Sequence, residues 1–524
     1  MISLLVFIIL LLSSYCRGGN PSTGIFVRDV LESNSTIIRQ AGRRTLVPPP
    51  NNLNATFIEF PSFPRISIQR YNIATRGNHD PVLEFELDGT DEEEDTTRIG
   101  NTGLYFNLKP QSDTDADGPS DNVQTGVAKL GSVANYSIFQ VPGLGEGYNG
   151  TVFDVFPGSP SIDDESKIGF KGNYAKNNES QTGVFYRQLV QEEQGGVGDI
   201  FVVANSETKI PEPTANCQNF TFGSTAPPSI ANGKMVFLGL DIEENPMCGG
   251  IYEAPMDSTN FPNLTTLVDL ETMVPGEENT TFSRIGEVLS YDGNAVAFWG
   301  AWGDEMETVS LCCPQTGNKD RRNFCLNVDN NTICNNSTAP GGCDSGCYQT
   351  KSVPVDQGIF VYYGGSIKTV AKGSKNNGED FVFWTYSGKP PSAGRPDANE
   401  TEAAEPPRWR SSATAALSQY NSIVYKLKVH DTVGIYWGDG VNSVQAVIET
   451  GQNCTILDAD GIDSSGASLL IESLAIERDG FRGNRLAIAA ACASDVVIEE
   501  GADEEDEGDW GGIYLTKICS PSSE

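Results

Sequence analysis

Short apolar runs separated by glycine and asparagine turns recur along the whole chain. Typical runs are Met235-Val236-Phe237 and Ala295-Val296-Ala297-Phe298, and the second follows the turn Asp292-Gly293-Asn294. Runs of this length between turn residues are typical of antiparallel β-hairpins. Helical periodicity is nearly absent. The pattern therefore predicts an all-β protein.

One tripeptide, glycine followed by an aliphatic and an aromatic residue, recurs in register with these runs. Its seven copies begin at Gly24, Gly103, Gly183, Gly250, Gly358, Gly434 and Gly512. Successive copies lie 79, 80, 67, 108, 76 and 78 residues apart, and an insertion explains the longest interval. Three copies follow a Phe-x-Gly motif, which starts at Phe170, Phe237 and Phe298. A period of this size indicates tandem structural units.

Each unit is interpreted as four short strands: one before the turn, the phenylalanine strand, the glycine-aliphatic-aromatic strand and a last one. In the first unit the run Val82-Leu83-Glu84-Phe85 is the predicted second strand. A four-stranded sheet cannot bury both faces alone, but sheets arranged radially cover one another and limit exposed edges. The sequence thus predicts a β-propeller of six four-stranded blades, with seven as the alternative count.

The two chain ends predict circular closure. Gly24-Ile25-Phe26 and Ser35-Thr36-Ile37-Ile38 have the pattern of a third and a fourth strand, whereas the last unit stops after its third strand, near Thr516. An N-terminal strand is therefore available to complete the last blade. We predict one propeller domain over residues 19–519, with a disulfide-rich insertion at 311–350 and a Pro-rich loop at 387–408.

The N-terminal residues predict export. Ile2 to Leu12 are almost all apolar, a stretch too short to span a bilayer, which takes roughly twenty residues. The stretch fits a secretory signal peptide over residues 1–18. Elsewhere no long apolar stretch predicts membrane insertion. We expect a secreted, extracellular protein with N-linked glycans at its sequons, which are Asn34, Asn54, Asn135, Asn149, Asn178, Asn219, Asn263, Asn279, Asn330, Asn335, Asn336, Asn399 and Asn453.

Twelve cysteines fit an oxidising compartment. Six of them form a cluster without the Cys-x2-Cys knuckles or nearby histidines of a zinc site, so a disulfide-stapled loop is predicted. Sequence leaves all fifteen pairings open. The cluster contains Cys312, Cys313, Cys325, Cys334, Cys343 and Cys347. Of the five other cysteines after the leader (Cys217, Cys248, Cys454, Cys492 and Cys519), one pairs with Cys16, joins the cluster or stays free.

The formal net charge is −35, which argues against a nucleic-acid partner and disfavours anionic membranes. It suits cations, calcium above all, and basic partners, with plain solubility as the alternative explanation. One acidic segment matches Asp-x-Asp-x-Asp-Gly-x-x-Asp and resembles the calcium loops of integrin-type propellers. Its carboxylates can converge on one hard cation, and the alternative is a solvated acidic loop. The predicted calcium ligands are Asp113, Asp115, Asp117 and Asp121, and a weaker copy contains Asp458, Asp460 and Asp463.

The sequence contains no motif that assigns a catalytic activity. The chain has two histidines, His79 and His430, and lacks a nucleophile elbow, a P-loop and a dinucleotide fingerprint. Its 70 acidic residues leave a glycosidase-type carboxyl pair open. Trp384-Thr385-Tyr386 and Arg408-Trp409-Arg410 suggest a binding rim, with packing between blades as the alternative.

The repeat resembles those of secreted or surface-anchored propeller-like proteins over most of residues 24–516, a likeness that implies architecture and no activity. Two functions follow. The first is a non-enzymatic extracellular binding, adhesion or matrix protein whose rim loops contact a glycan or a protein. The alternative is a propeller-type carbohydrate-active hydrolase. A hydrolase should have a deep central cleft with convergent carboxylates, whereas a binding protein should have a filled axis and decorated rims.

Overall fold

Almost all regular structure in the described residues is β-strand, arranged as a six-bladed propeller. The computed structural model describes residues 26–27, 38–39, 62–67, 72–79, 101–107, 124–128, 139–177, 179–189, 197–211, 217–315, 319–335, 343, 346–373, 379–388, 407–418, 422–438, 444–457, 461–462, 466–483, 485–493 and 510–517.

The first three blades follow two short N-terminal strands, β1 (Phe26–Val27) and β2 (Ile38–Arg39). Blade 1 contains β3 (Ser62–Ile66), β4 (Ile73–His79), β5 (Asn101–Asn107) and β6 (Gln124–Ala128). Blade 2 contains β7 (Ser161–Ile162), β8 (Lys167–Lys176), β9 (Glu179–Leu189) and β10 (Val197–Asn205). Blade 3 contains β11 (Ser224–Thr225), β12 (Ser229–Ala231), β13 (Lys234–Leu240), β14 (Gly249–Pro255) and β15 (Thr265–Asp269).

The last three blades carry the insertions. Blade 4 contains β16 (Phe282–Ile285), β17 (Ser290–Tyr291), β18 (Ala295–Cys312), helix α1 (Lys319–Leu326), β19 (Ile333–Cys334), β20 (Cys347–Tyr363) and β21 (Ser366–Lys372). Blade 5 contains β22 (Glu379–Asp380), the hairpin β23 (Phe383–Ser387) and β24 (Arg408–Ser412), β25 (Ala415–Leu417), β26 (Ile423–Val429), β27 (Thr432–Gly438) and β28 (Gln445–Glu449). Blade 6 contains β29 (Leu470–Ala475), β30 (Phe481–Arg482), β31 (Arg485–Ala493) and β32 (Trp510–Lys517).

Paired glycines explain the repeated sequence motif. In blade 3, Gly239 and Gly250 lie opposite each other in the β13–β14 ladder. The ring of Phe222 covers Gly239, where a Cβ would lie 2.6 Å from that ring, whereas a Cβ at Gly250 would meet the backbone of β15, the next strand. Phe222 then contacts Phe237 and Tyr252 edge-on, with ring centroids 5.9 and 5.2 Å away. Gly239 thus makes room for an aromatic core and Gly250 for the close approach of the fourth strand, and a larger residue at either position would displace its neighbour.

Blades 2 and 4 repeat this arrangement. A Cβ at Gly172 or Gly300 would lie 2.6 Å from the ring of Phe153 or Phe282, respectively. In blade 4 the ring of Phe282 meets Phe360, with ring centroids 5.0 Å apart. The Phe-x-Gly motif therefore encodes one aromatic cluster in each of blades 2, 3 and 4, which supplies the small core that each of these sheets needs.

The predicted blade count and closure are confirmed. Six of the seven tripeptides lie in the third strands β5, β9, β14, β20, β27 and β32. The first copy ends in β1, which pairs with β2 and lies against β32 of blade 6. It closes the ring, so the seventh copy adds no seventh blade.

One predicted strand is wrong. The second strand of blade 1 is β4, whereas Val82–Phe85 lie outside the described residues. β4 pairs with β5 so that Gly77 faces Gly103, the same glycine pairing as in blades 2, 3 and 4. Closeness to the tripeptide favours the apolar run as the second strand, but the glycine register selects a more polar segment further upstream.

Disulfides pair ten of the cysteines. The six clustered cysteines pair with one another, as Cys312–Cys343, Cys313–Cys325 and Cys334–Cys347. Cys217–Cys248 ties the segment before β11 to the residue that precedes β14 in blade 3. Cys454–Cys492 ties the segment before β29 to β31 in blade 6. Cys16 and Cys519 lie outside the described residues. Within the described chain, no helix is both long enough and apolar enough to cross a membrane.

Candidate functional site

The innermost strands of the six blades surround the propeller axis. They are β3, β7, β12, β17, β25 and β30, and each lies beside its neighbour from β3 through to β30. Three serines join successive strands by accepting a backbone N–H from the next blade. Ile230 donates to Ser161, Tyr291 to Ser229 and Leu417 to Ser290, over 2.9–3.0 Å. Small hydroxyl side chains therefore line one half of the axis.

A buried acid and its arginines fill the other half. Asp479, between β29 and β30, accepts hydrogen bonds of 2.7 Å from the hydroxyls of Ser161 and Ser229. The guanidinium of Arg482 donates to the same carboxylate, and that of Arg65 lies 3.5 Å from it. Blade 6 thus reaches across the axis to blades 1, 2 and 3.

Neighbouring residues extend this network. The guanidinium of Arg65 also donates to Glu477 over 2.6 Å, and that of Arg478 donates to the carbonyl of Pro227. Arg65, Arg478, Asp479 and Arg482 are each at most 7% exposed, so these side chains close the axis. We call this buried set the axial plug.

The charge state of Asp479 follows from its partners. Burial alone would raise the pKa of its carboxyl. The guanidiniums of Arg482 and Arg65, together with the two serine hydroxyls, outweigh burial and hold the pKa below its ordinary value. Asp479 is therefore an ionised structural group.

A second region, between blades 3, 4 and 5, is open. We call it the rim groove, and it has a volume of about 280 Å³. Its walls come from the turn after β13, from β16 and the residues after it, from the start of β20 and from the β23–β24 hairpin. The groove is near the lower end of the size range of small-ligand pockets.

Two tryptophans of the hairpin line the groove. Trp384 in β23 pairs with Ser411 in β24, and Tyr386 pairs with Trp409. Because directly paired residues project to the same side of a sheet, the three aromatic side chains share one face. The rings of Tyr386 and Trp409 lie 5.1 Å apart. The two sequence runs predicted to form a binding rim are thus brought together.

The stapled insertion of blade 4 packs against this hairpin. Tyr386 is 6% exposed and packs with Cys313, Cys325 and Cys347, and Trp409 packs against the same cluster. The disulfides therefore fix a wall of the groove.

A third tryptophan is nearly buried in the groove. Trp299 in β18 is 7% exposed, and its indole N–H donates to Gln357 over 3.0 Å. The side-chain amide of Gln357 in turn donates to Asp380. Burial raises the pKa of Asp380, offset in part by backbone and amide donors. This chain of hydrogen bonds fixes the orientation of the Trp299 ring.

Charged residues surround the aromatic ones. Arg408 of the hairpin donates to Glu243 and Glu244 of blade 3, each over 2.9 Å. These ion pairs link opposite walls and are exposed, with 33% of the Arg408 side chain and 69% of that of Glu244 accessible. Arg284 and Lys351 are half-buried and also line the groove.

The predicted metal ligands Asp113, Asp115, Asp117 and Asp121 lie outside the described residues, as do Asp458, Asp460 and Asp463. In the described ranges, no three His, Cys, Asp or Glu side chains gather as a metal site would require. His430 is an exposed turn residue between β26 and β27.

Sequence reasoning missed Trp299, Arg284 and Lys351. A signal existed for Trp299, because the middle residue of Phe-x-Gly is Lys171 in blade 2 and Leu238 in blade 3 but tryptophan in blade 4. Arg284 and Lys351 carry no such mark, since only the approach of blades 4 and 5 brings them to one groove.

A scan against protein-family models gave no match, and neither did a search of curated proteins. Solved structures with a similar fold include the polysaccharide lyase Uly1, at 8% identity and a TM-score of 0.37, covering 87% of this chain and 77% of that one. A sialidase from Trypanosoma rangeli shares 7% identity with a TM-score of 0.33, covering 92% and 56%. An α-L-arabinanase from Penicillium chrysogenum shares 8% identity with a TM-score of 0.30, covering 95% and 98%. Likenesses this distant say nothing about the activity of this chain.

Proposed function

We propose that the chain is a secreted, non-enzymatic glycan-binding protein that holds its ligand in the rim groove. The observation that carries the proposal is the gathering of Trp299, Trp384 and Trp409 around one small groove. Aromatic planes pack against the C–H faces of sugar rings, and the charged and hydroxyl side chains beside them can bond sugar hydroxyls.

The filled axis favours binding over hydrolysis. A propeller hydrolase would need a central cleft in which two carboxyl groups face a substrate. Here the axial carboxylate Asp479 is 1% exposed and satisfied by serines and arginines. Asp163 and Asp380 have raised carboxyl pKa values, yet neither lines the rim groove.

Export and glycosylation belong to the same proposal. Five disulfides in the described chain suit an oxidising compartment. Among the sequon asparagines, Asn149, Asn219, Asn263, Asn279 and Asn453 are exposed. We further propose calcium at Asp113, Asp115, Asp117 and Asp121, and a fall in melting temperature on chelation would support it.

The test is a glycan array probed with the secreted protein and with Trp384→Ala and Trp409→Ala variants. We expect binding by the wild type and a loss of at least about tenfold in each variant, because buried aromatic contacts carry much of a binding energy. Thermal melts would show that the variants fold. Equal binding by folded variants, or none by the wild type, would contradict the proposal.

A further inference from the structure

The rim groove differs in charge from the rest of a strongly acidic chain. Its lining includes four basic residues, Arg284, Lys351, Arg408 and Arg410, and three acidic ones, Glu243, Glu244 and Glu287. The formal net charge of the whole chain is −35. A groove with this composition is therefore a local exception.

The acidic residues of the groove already have cationic partners. Glu243 and Glu244 both bind Arg408. Glu287 lies close enough to Arg478 of the axial plug to interact with its charge. Glu243 and Glu244 are thus compensated by a protein cation, and Glu287 interacts with a cation of the axial plug.

Two of the groove's cations have no such partner. Arg284 and Lys351 form no ion pair with any residue of the described chain, and both are half-buried beside the tryptophans. A cation that is half removed from water gains most from an anion that reaches it, because a charge-assisted hydrogen bond is stronger where water is excluded.

We infer that the rim groove binds an anionic sugar, with the tryptophans against the ring and Arg284 and Lys351 on its carboxylate or sulfate. This inference rests on the proposed glycan-binding function and narrows its ligand class. At about 280 Å³ the groove is near the lower end of the size range of small-ligand pockets, which suits a short sugar.

The overall negative charge restricts how such a ligand binds. Charges farther away than the Debye length, about 8 Å at physiological salt, are screened, whereas Arg284 and Lys351 act at contact. A short anionic sugar, or the end of a polysaccharide, interacts mainly with the positive charges of Arg284 and Lys351. A long polyanion lying across the surface would also meet the acidic surroundings.

The experiment is an array of matched oligosaccharide sets in which each neutral member has a uronate and a sulfated counterpart. For each set that binds, the neutral and anionic sugars are then titrated into the protein, and binding is followed by tryptophan fluorescence. We expect the anionic member of a set to bind at least about tenfold more tightly than the neutral one, the factor of one charge-assisted hydrogen bond. The uronate and sulfate arms identify which anion is preferred.

Variants assign that preference to residues. The double variant Arg284→Gln/Lys351→Gln should lose the anionic preference and keep neutral-sugar binding. Lys234→Gln is the matched control, because Lys234 is exposed, pairs with Glu253 and lies outside the groove.

The outcomes separate the two proposals. Equal binding of anionic and neutral members by the wild type, or a preference that survives in the folded double variant, would overturn the inference and leave the glycan-binding proposal standing. Absence of any binding by the wild type would overturn both.

Discussion

At the propeller axis, Asp479 and the arginines around it are at most 7% exposed, and the carboxylate contacts two serines and two guanidiniums. In the rim groove, Arg408 meets Glu243 and Glu244 with a third or more of each side chain in water. The two regions use the same chemical groups. Burial and partner number decide that the first set holds blades together, whereas the exposed second set contributes little to stability.

This difference also shows how the ring closes. β1 lies against β32, and the axial plug adds a second link because Asp479 of blade 6 bonds Ser161 of blade 2 and Ser229 of blade 3. The ring is therefore closed by a strand contact in blade 6 and by ionic contacts at the axis.

The largest expected effect is at the centre. Asp479→Ala would leave Arg65 and Arg482 buried without their shared carboxylate. Removing one partner of a buried ion pair costs about 3–5 kcal/mol. Denaturant unfolding should show a loss of this size, and a loss below about 1 kcal/mol would contradict a structural role for the plug.

A pH effect at Asp163 is next in size. Its carboxyl is 2% exposed at the turn after β7, and burial, partly offset by backbone N–H donors, raises its pKa from 3.8 to about 6. Since the folded pKa is raised, the wild type loses stability as pH rises from about 4 to 6. At about 1.4 kcal/mol per pKa unit, this loss is at most about 3 kcal/mol.

Asp163→Asn removes the titration. Relative to the wild type, the variant should gain stability between pH 4 and pH 7, as measured by denaturant midpoints at both values. An unchanged difference between the two proteins across this range would contradict the assignment.

Removal of a rim disulfide should loosen the groove more than the propeller. In Cys313→Ser/Cys325→Ser, the support behind Tyr386 and Trp409 weakens, so we expect faster hydrogen exchange in residues 319–335 and several-fold weaker glycan binding. The matched variant Cys454→Ser/Cys492→Ser should lower global stability by about 2–5 kcal/mol with groove exchange unchanged. The opposite pattern would contradict the supporting role of the insertion.

The smallest expected effect is at the exposed ion pairs. Glu244→Gln should change stability by less than about 1 kcal/mol, because exposed pairs contribute little. A thermal melt measures this change. A loss of stability as large as that of Asp479→Ala would contradict the difference between the buried axial ion pairs and the exposed groove ion pairs.

Much of the architecture was predictable from the sequence. The tripeptides at Gly183, Gly250 and Gly358 mark third strands because a Cβ at each of these glycines would collide with the backbone of the adjacent fourth strand, so a local motif reports the geometry of the sheet. The spare copy ending at Phe26 predicts closure because the last unit stops after its third strand and needs a strand from the N-terminus.

The centre and most of the groove were not predictable. Asp479 lies 318 residues from Ser161 and 250 from Ser229, and one aspartate among 70 acidic residues carries no local mark. Trp384 and Trp409 stood out as aromatic runs, but Arg284 and Lys351 reach them only through packing between blades. Local pattern predicts repeats, whereas contacts between units depend on the assembled ring.

Hydrogen–deuterium exchange with and without the best-binding array glycan tests the central claim most directly. Residues 476–482 at the axis should already exchange slowly in the free protein and remain unchanged. Residues 383–387 and 408–412 of the hairpin should gain protection on binding. Glycan-dependent protection at the axis, with the hairpin unaffected, would contradict a filled axis and a binding rim.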